Sequence, residues 1–187
     1  MASSLKNDDG TCPERNLLEI ASSSALRPEL SVEWLRLSLA CAAEAGERGL
    51  VDKLIESGAI VGSGWKDPGG RTLLHAAARG GDEGVLDLFI KAGAKPDVNV
   101  LSSAPESLSA LWVAVDCHHE TVARSLLVAG ADVNVKDPER DNTVLHLAII
   151  RGQERLAEEL VLRGADTRAK NIDEDVPSSQ RGTCRKA

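Results

Sequence analysis

The sequence predicts an all-α solenoid of repeated helix pairs, and three observations support this fold class. The motif Thr-Leu-Leu-His at 72–75 returns as Thr-Val-Leu-His at 143–146. A Gly-Ala pair follows 18 residues after each of the two histidines. Gly-Ala pairs recur at spacings of 35, 37 and 34 residues, starting at Gly58, Gly93, Gly130 and Gly164. A period between about 20 and 50 residues indicates stacked units, each burying its apolar face on the next.

Each unit is predicted to contain two short antiparallel helices. In the second unit, an Ala-rich helix covers 73–79 and stops at Gly80-Gly81, where a tight turn is tolerated. A second helix covers 83–91, and Gly93 follows it as a C-cap glycine. Equivalent second helices are expected in the other units at 48–56, 120–128 and 154–162. Turn residues such as Pro68-Gly69-Gly70 and Asp137-Pro138 predict hairpin-like fingers between the units.

The repeated motif, the period and the Gly-Ala-Asp-Val-Asn turn at 130–134 resemble the ankyrin repeat. The resemblance covers about residues 36–172, as four repeats followed by the start of a fifth. It implies an ankyrin-repeat solenoid of paired antiparallel helices with β-turn or hairpin fingers. Leu73 and Val144 replace the proline of the family pattern. Its histidine is replaced by Trp112 in the third repeat and by Ala40 in the first. The first and third repeats therefore depart furthest from the pattern.

The expected domain organisation is a flexible segment at 1–30, a repeat domain at 31–172 and a flexible tail at 173–187, with both termini disordered. Ser31 is a plausible N-cap for the first packed helix, because its hydroxyl can accept from the N–H groups of the first turn. A solenoid normally ends in a polar cap that shields its last apolar face. The residues after Pro177 contain no Leu-His-x-Ala motif, so no helical cap is predicted for the fourth repeat.

The composition narrows the class of function. The 187 residues carry a formal charge of −7, which argues against nucleic-acid binding, since that depends on Lys and Arg at phosphates. The chain has no apolar run long enough to span a membrane and no signal-peptide pattern. We therefore expect a monomeric, cytoplasmic protein, with the nucleus as the alternative location. The four cysteines are scattered without a Cys-x-x-Cys pair and are expected to be reduced.

The sequence offers little that points to catalysis, a cofactor or a metal. The resemblance assigns His75 and His146 a structural hydrogen bond to the adjoining repeat. No nucleophile elbow, P-loop or dinucleotide fingerprint is found along the chain. The run Cys117-His118-His119 is a poor metal site, because three adjacent side chains diverge. A non-enzymatic protein without a cofactor or metal is the expectation.

The resemblance implies that a protein partner binds a concave strip made of the finger tips and the outer turns of the first helices. The partner itself is not identified by the sequence. An exposed Trp65 would be a typical hot spot, whereas the alternative is that it folds back on the preceding repeat. Trp112, at the histidine position, is expected to be buried. Basic residues make the strip less acidic than the molecule as a whole, which favours a partner of acidic character. The residues assigned to the strip are Trp65, Arg71, Arg79, Asp116, Arg140, Asn142 and Arg151.

Two other interpretations stay open. The start of a fifth repeat suggests that this is a regulatory or substrate-targeting ankyrin segment of a larger multidomain enzyme. In addition, the Asp132-Val133-Asn134 turn with Leu126 eight residues before Asn134 resembles the ankyrin site for asparaginyl β-hydroxylation.

Overall fold

The computed structural model describes residues 28–59, 61, 64–94, 98–103 and 107–177. Within these residues the chain forms eight α-helices arranged as four successive pairs. A π-helical turn, Ile90–Ala94, continues the fourth helix. The helices are α1 Pro28–Glu44, α2 Arg48–Glu56, α3 Leu73–Gly80, α4 Glu83–Phe89, α5 Ala110–Asp116, α6 Glu120–Val128, α7 Val144–Ile150 and α8 Glu154–Leu162. The predicted all-α solenoid is confirmed.

The predicted helix bounds are largely right. The helices α2, α6 and α8 cover the predicted residues, and α3 is one residue longer than expected. Gly93 does not serve as the expected C-cap but lies inside the π-helical turn. The prediction of Ser31 as an N-cap is wrong, since α1 already begins at Pro28. Proline suits the first helical position because it lacks an N–H that would have no partner there. The expected flexible segment lies mostly at 1–27, outside the described residues.

Small side chains let neighbouring repeats approach closely. The first helices form one layer, in which α1 packs on α3, α3 on α5 and α5 on α7. The second helices form the other layer, in which α2 packs on α4 and α4 on α6. Larger apolar side chains such as Leu86 and Phe89 fill the space between the layers and are fully buried. The buried alanines of the first helices are Ala42, Ala43, Ala76, Ala77, Ala78, Ala110, Ala114 and Ala148.

Four fingers share one pair of hydrogen bonds. In each finger, a polar residue at the start pairs with a second residue at the end. The backbone N–H of the first residue donates to the carbonyl oxygen of the second, and the side chain of the first accepts the backbone N–H of the second. The accepting side chain lies 2.8, 3.1, 3.1 and 2.8 Å from the nitrogen. A residue with positive φ directly precedes the second residue of each pair. The four pairs are Asp67 with Arg71, Ser102 with Leu108, Asp137 with Asn142, and Asn171 with Asp175.

The fourth finger extends the fold beyond the expected boundary at residue 172. Asn171 Nδ2 donates to Asn142 Oδ1 at 3.0 Å, and Ile172 N donates to Arg140 O at 2.9 Å. Pro177 is buried. Within 173–177, which we expected in a flexible tail, Glu174 N donates to Asn171 O inside the finger, and the Asp175 carbonyl meets His146 of the fourth repeat. Residues 178–187 lie outside the described residues.

The close approach of first helices generates a prediction about two helical glycines. A Cβ at Gly80 would overlap the carbonyl oxygen of Ala43 on α1, whereas a Cβ at Gly49 in α2 would meet nothing within 4 Å. Gly80→Ala should therefore lower the free energy of unfolding by about 1–3 kcal/mol through overpacking. Gly49→Ala should raise it by up to about 1 kcal/mol, since alanine has less backbone freedom to lose.

Urea denaturation followed by far-ultraviolet circular dichroism measures both changes. A Gly80→Ala protein as stable as the Gly49→Ala protein would contradict the inferred contact between α1 and α3.

Candidate protein-binding surface

Two buried histidines tie first helices to the following finger. His75 Nδ1 accepts the backbone N–H of Thr72 at 3.1 Å, so the proton of the neutral ring lies on Nε2. That Nε2–H donates to the carbonyl of Leu108 in the next finger, at 2.9 Å. His146 repeats the arrangement with Thr143 and with the carbonyl of Asp175, at 3.1 Å each. The structural role that the family resemblance implies for both histidines is confirmed.

The environment of these histidines favours the neutral ring. Burial lowers the pKa of His75, and the hydrogen bond to the Leu108 carbonyl opposes this only in part. Burial likewise lowers the pKa of His146, against a smaller opposing effect of the Asp175 carbonyl. A second proton on either ring would also point at a backbone N–H and break the bond to Nδ1. Both residues therefore behave as fixed structural donors.

Trp112 takes the place of the histidine in the third repeat. Its side chain is buried, as expected, with 8% of its surface exposed. Beside it a groove of about 340 Å³ opens between the second and third fingers. Leu108 and Arg140 line its sides, and Pro138 and Glu139 lie at the finger tip. The substitution of histidine by tryptophan thus coincides with a groove between the second and third fingers.

Two of the assigned cations are exposed and form no ion pair within the described part of the chain. Arg79 lies in the last turn of α3 and Arg140 lies in the third finger, and both are exposed. Neither side chain forms an ion pair with any residue that the structure describes. The backbone of Arg79 is fixed, because its carbonyl lies 3.1 Å from His119 Nε2. The backbone of Arg140 is fixed by its N–H, which donates to Asp137 Oδ1 at 2.6 Å.

Three other assigned residues form ion pairs between repeats. Arg71 lies 3.0 Å from Glu44 on α1 and 2.7 Å from Asp67 in its own finger. Arg151, after α7, pairs with Asp116 at the end of α5. These side chains are half-buried or exposed, but part of their charge is already compensated inside the molecule. Their first role is to link adjacent repeats along the concave strip.

The last two assigned residues are poorly placed for a partner. Asn142 is buried, and its Oδ1 accepts from Asn171 while its backbone pairs with Asp137. Trp65 is partly buried and packs against the core, in a shallow groove that Glu33 and Leu37 of α1 also line. The alternative that Trp65 folds back on the first repeat therefore describes its position better than a free hot spot.

Asparagines connect the loops on the other side of the stack. Asn134 Oδ1 accepts from Asp166 N at 2.9 Å, and its Nδ2 donates to Gly164 O at 3.3 Å. Asn99 makes the same two bonds one repeat earlier, to Asp132 and Gly130. Asn134 is exposed although its amide is occupied. Its hydroxylation stays a prediction.

The described part of the chain also bears on metal and membrane sites. There, no three side chains among His, Cys, Asp and Glu are grouped so that they could hold a metal ion. Among the same residues, no helix has the length and apolar character needed to cross a bilayer. Cys41 and Cys117 are both free thiols.

The geometry defines a helical-repeat protein of four stacked helix pairs with hydrogen-bonded fingers. A family model for three copies of the ankyrin repeat matches residues 37–137, and a model for a single ankyrin repeat matches residues 140–172. The chain therefore belongs to the ankyrin repeat family. Comparison with curated proteins gave no match. Ankyrin repeats generally act as protein–protein interaction modules and are typically non-catalytic.

The buried histidines predict a loss of stability in mild acid. In the unfolded chain a histidine titrates near its ordinary pKa of about 6.5, whereas His75 and His146 hold lower values when folded. The unfolded state therefore binds more protons as the pH falls through about 6.5, so the free energy of unfolding decreases from there towards the folded pKa.

Urea denaturation at a series of pH values between about 7.5 and 5.5 measures this dependence. The double variant His75→Gln/His146→Gln should be less stable at neutral pH but should vary less with pH over this interval. An equally steep dependence in the double variant would assign the effect to other groups.

Proposed function

We propose that this protein is a non-catalytic interaction module that binds a protein partner on the concave strip, at the groove beside Trp112. The observation that carries the proposal is the pair Arg79 and Arg140. Both are exposed, both have a fixed backbone, and neither is neutralised by an ion pair within the described structure. Arg140 also lines the groove of about 340 Å³. Arginine is among the residue types that most often dominate the energy of an interface.

The charge of the strip favours an acidic partner. The chain as a whole carries −7, so an acidic protein is repelled by most of its surface. Arg79 and Arg140 present positive charge on the concave side, and Lys66 adds an exposed ammonium near the first finger. Local charge of opposite sign directs an acidic partner to this side and raises the rate of association more than the final affinity.

Arg71 and Arg151 of the strip already form ion pairs, which limits what they can contribute to the binding of a partner. Arg71 with Glu44 and Arg151 with Asp116 join the first repeat to the second and the third to the fourth. Exposed pairs of this kind add little to stability, about 0–1 kcal/mol each. Replacing Arg71 or Arg151 would change the relative position of repeats and the local charge together. Arg79 and Arg140 are therefore the cleaner residues for a test of binding.

The proposal predicts that Arg79→Glu/Arg140→Glu abolishes capture of the partner without unfolding the protein. Immobilised full-length chain would be crosslinked to proteins of a native-cell lysate, and the captured proteins quantified by mass spectrometry. Two charge reversals at the centre of an interface should reduce specific capture by roughly tenfold or more. The circular dichroism spectrum and melting temperature should stay close to those of the original protein.

A matched control is Arg155→Glu, because Arg155 is exposed on α8, away from the fingers, and forms no ion pair with a described residue. This variant should capture the same proteins as the original chain. Capture that survives the double reversal, or that Arg155→Glu reduces equally, would contradict binding by the concave strip.

A further inference from the structure

Two grooves beside the fingers are built alike. The groove beside Trp112, of about 340 Å³, has a tryptophan, a leucine and a finger proline in its lining. A second groove, of about 290 Å³, lies between α1 and the first finger and contains the same three residue types. We call them the third-finger groove and the first-finger groove. The matching residues are Trp112, Leu108 and Pro138 in the former and Trp65, Leu37 and Pro68 in the latter.

Both grooves lie at a finger that no histidine of the preceding repeat holds. His75 Nε2 donates to a carbonyl of the second finger at 2.9 Å, and His146 Nε2 to one of the fourth at 3.1 Å. The equivalent position is Ala40 before the first finger and Trp112 before the third. Alanine has no side-chain donor, and no hydrogen bond joins the Trp112 indole to a described residue. The two departures from the repeated histidine therefore coincide with the two grooves.

Each groove also contains one exposed cation and one exposed carboxylate. Lys66 and Glu33 line the first-finger groove, and Arg140 and Glu139 line the third-finger groove. None of these four side chains forms an ion pair with a residue in the described ranges. The charges that a ligand meets are therefore the same in both grooves. The aspartates that complete the lining, Asp67 and Asp137, already accept hydrogen bonds from their own fingers.

The stack of first helices sets the distance between the grooves. The first-finger groove borders α1 and the third-finger groove borders α5, while α3 lies between these helices and packs on both. Packed helices lie about 8–10 Å apart, so the grooves are about 16–20 Å apart. An extended chain rises about 3.3 Å per residue, and residues an even number apart face the same side. Side chains at positions i and i+6 of an extended segment therefore span about 20 Å on one face.

The separation of the grooves favours an extended ligand over a helix. The second finger, which His75 holds, lies between them. A bound helix needs one continuous apolar groove for its row of anchors, whereas an extended segment can place single side chains in separate pockets. Each of these grooves is of a size that suits one or two side chains.

We propose that the two grooves together bind one extended, acidic segment of the protein partner, with apolar side chains at positions i and i+6. One apolar side chain packs on Trp65 and the other on Trp112. A carboxylate beside each anchor pairs with Lys66 or Arg140. The inference rests on the binding surface proposed above and specifies the form of its ligand. Trp65 serves as a fixed wall of its groove, since it already packs against the core.

Labelled acidic peptides of about 13 residues, long enough to hold both anchors, would test the proposal by fluorescence anisotropy with the full chain. Two peptides of identical composition carry two Leu-Asp pairs, with the leucines at i and i+6 or at i and i+3. A third peptide has a single Leu-Asp pair. The i+6 peptide should bind roughly tenfold tighter than the other two, because its second anchor binds at a raised effective concentration. Lys66→Glu and Arg140→Glu should each remove this advantage.

Trp112→His tests the origin of the third-finger groove. An imidazole at this position can repeat the link that His75 makes to the following finger, and it removes the indole wall. The i+6 peptide should then bind no tighter than the single-Leu peptide, while the melting temperature is unchanged or higher. Undiminished affinity in this variant would contradict the role given to Trp112.

The matched control for charge is Glu33→Gln/Glu139→Gln. It removes one exposed carboxylate from each groove, so the acidic i+6 peptide should bind more tightly. Weaker binding would mean that the grooves select a basic segment. Arg155→Glu on α8 should leave all affinities unchanged. Circular dichroism and the melting temperature of each variant establish that it is folded.

The outcomes separate this inference from the proposed function. Equal affinity for the i+6 and i+3 peptides, or no saturable binding of either, would overturn the two-groove ligand. The same holds if Arg140→Glu weakens every peptide while Lys66→Glu weakens none, although the binding surface at Trp112 would then stand. If Arg140→Glu affects neither peptide binding nor capture from the lysate, the proposed surface itself is wrong.

Discussion

The repeats of this molecule depend on one another because their helices are too short to be stable alone. From α2 to α8 the helices have 7–9 residues, below the length at which an isolated helix persists in water. Each helix pair is therefore stable only when the next pair covers its apolar face. The alanines of the first helices make this possible, since nothing larger would let α3 lie so near α1 that Gly80 meets Ala43. The other contacts of the molecule depend on this stacking of helix pairs.

The polar contacts fix the position of each finger on the stack that burial creates. Each finger extends from its helices into water, so it has little apolar surface of its own to bury. Its conformation is fixed by the side chain at its base, and its place on the stack by a histidine of the preceding repeat where one is present. Trp112 cannot reproduce this link as a histidine does, because an indole has one donor and no acceptor for the backbone N–H. The third finger lies beside Trp112 and lines the groove of about 340 Å³.

The fold could be predicted from the sequence because periodicity reports burial directly. The regular return of Thr-x-Leu-His and of Gly-Ala located three second helices to the residue. Contacts between repeats could not be read in this way. Asn142 looked like a finger-tip residue, but its partner is Asn171, 29 positions away along the chain. The start of a fifth repeat was visible in the sequence, but the boundary expected at residue 172 divides the fourth finger, because the bond between Asn171 and Asp175 leaves no motif to mark the end of the finger.

The charged residues of the candidate site could not be fully interpreted from the sequence either. Sequence shows which residues are charged, whereas the exposure and the existing partner of each charge decide what it can do. Arg79, Arg140 and Arg151 are equivalent by composition, and only Arg151 meets a carboxylate of the neighbouring repeat.

The position of an unpaired charge matters as much as its exposure. Arg79 and Arg140 have no ion pair in the described structure, and they lie at the end of a first helix and in a finger. Arg155 is equally exposed and unpaired among the described residues, but it lies on α8, away from the fingers. Because exposed charges are screened over about 10 Å at moderate salt, the sign of charge around Arg79 and Arg140 can differ from that of the net charge of −7.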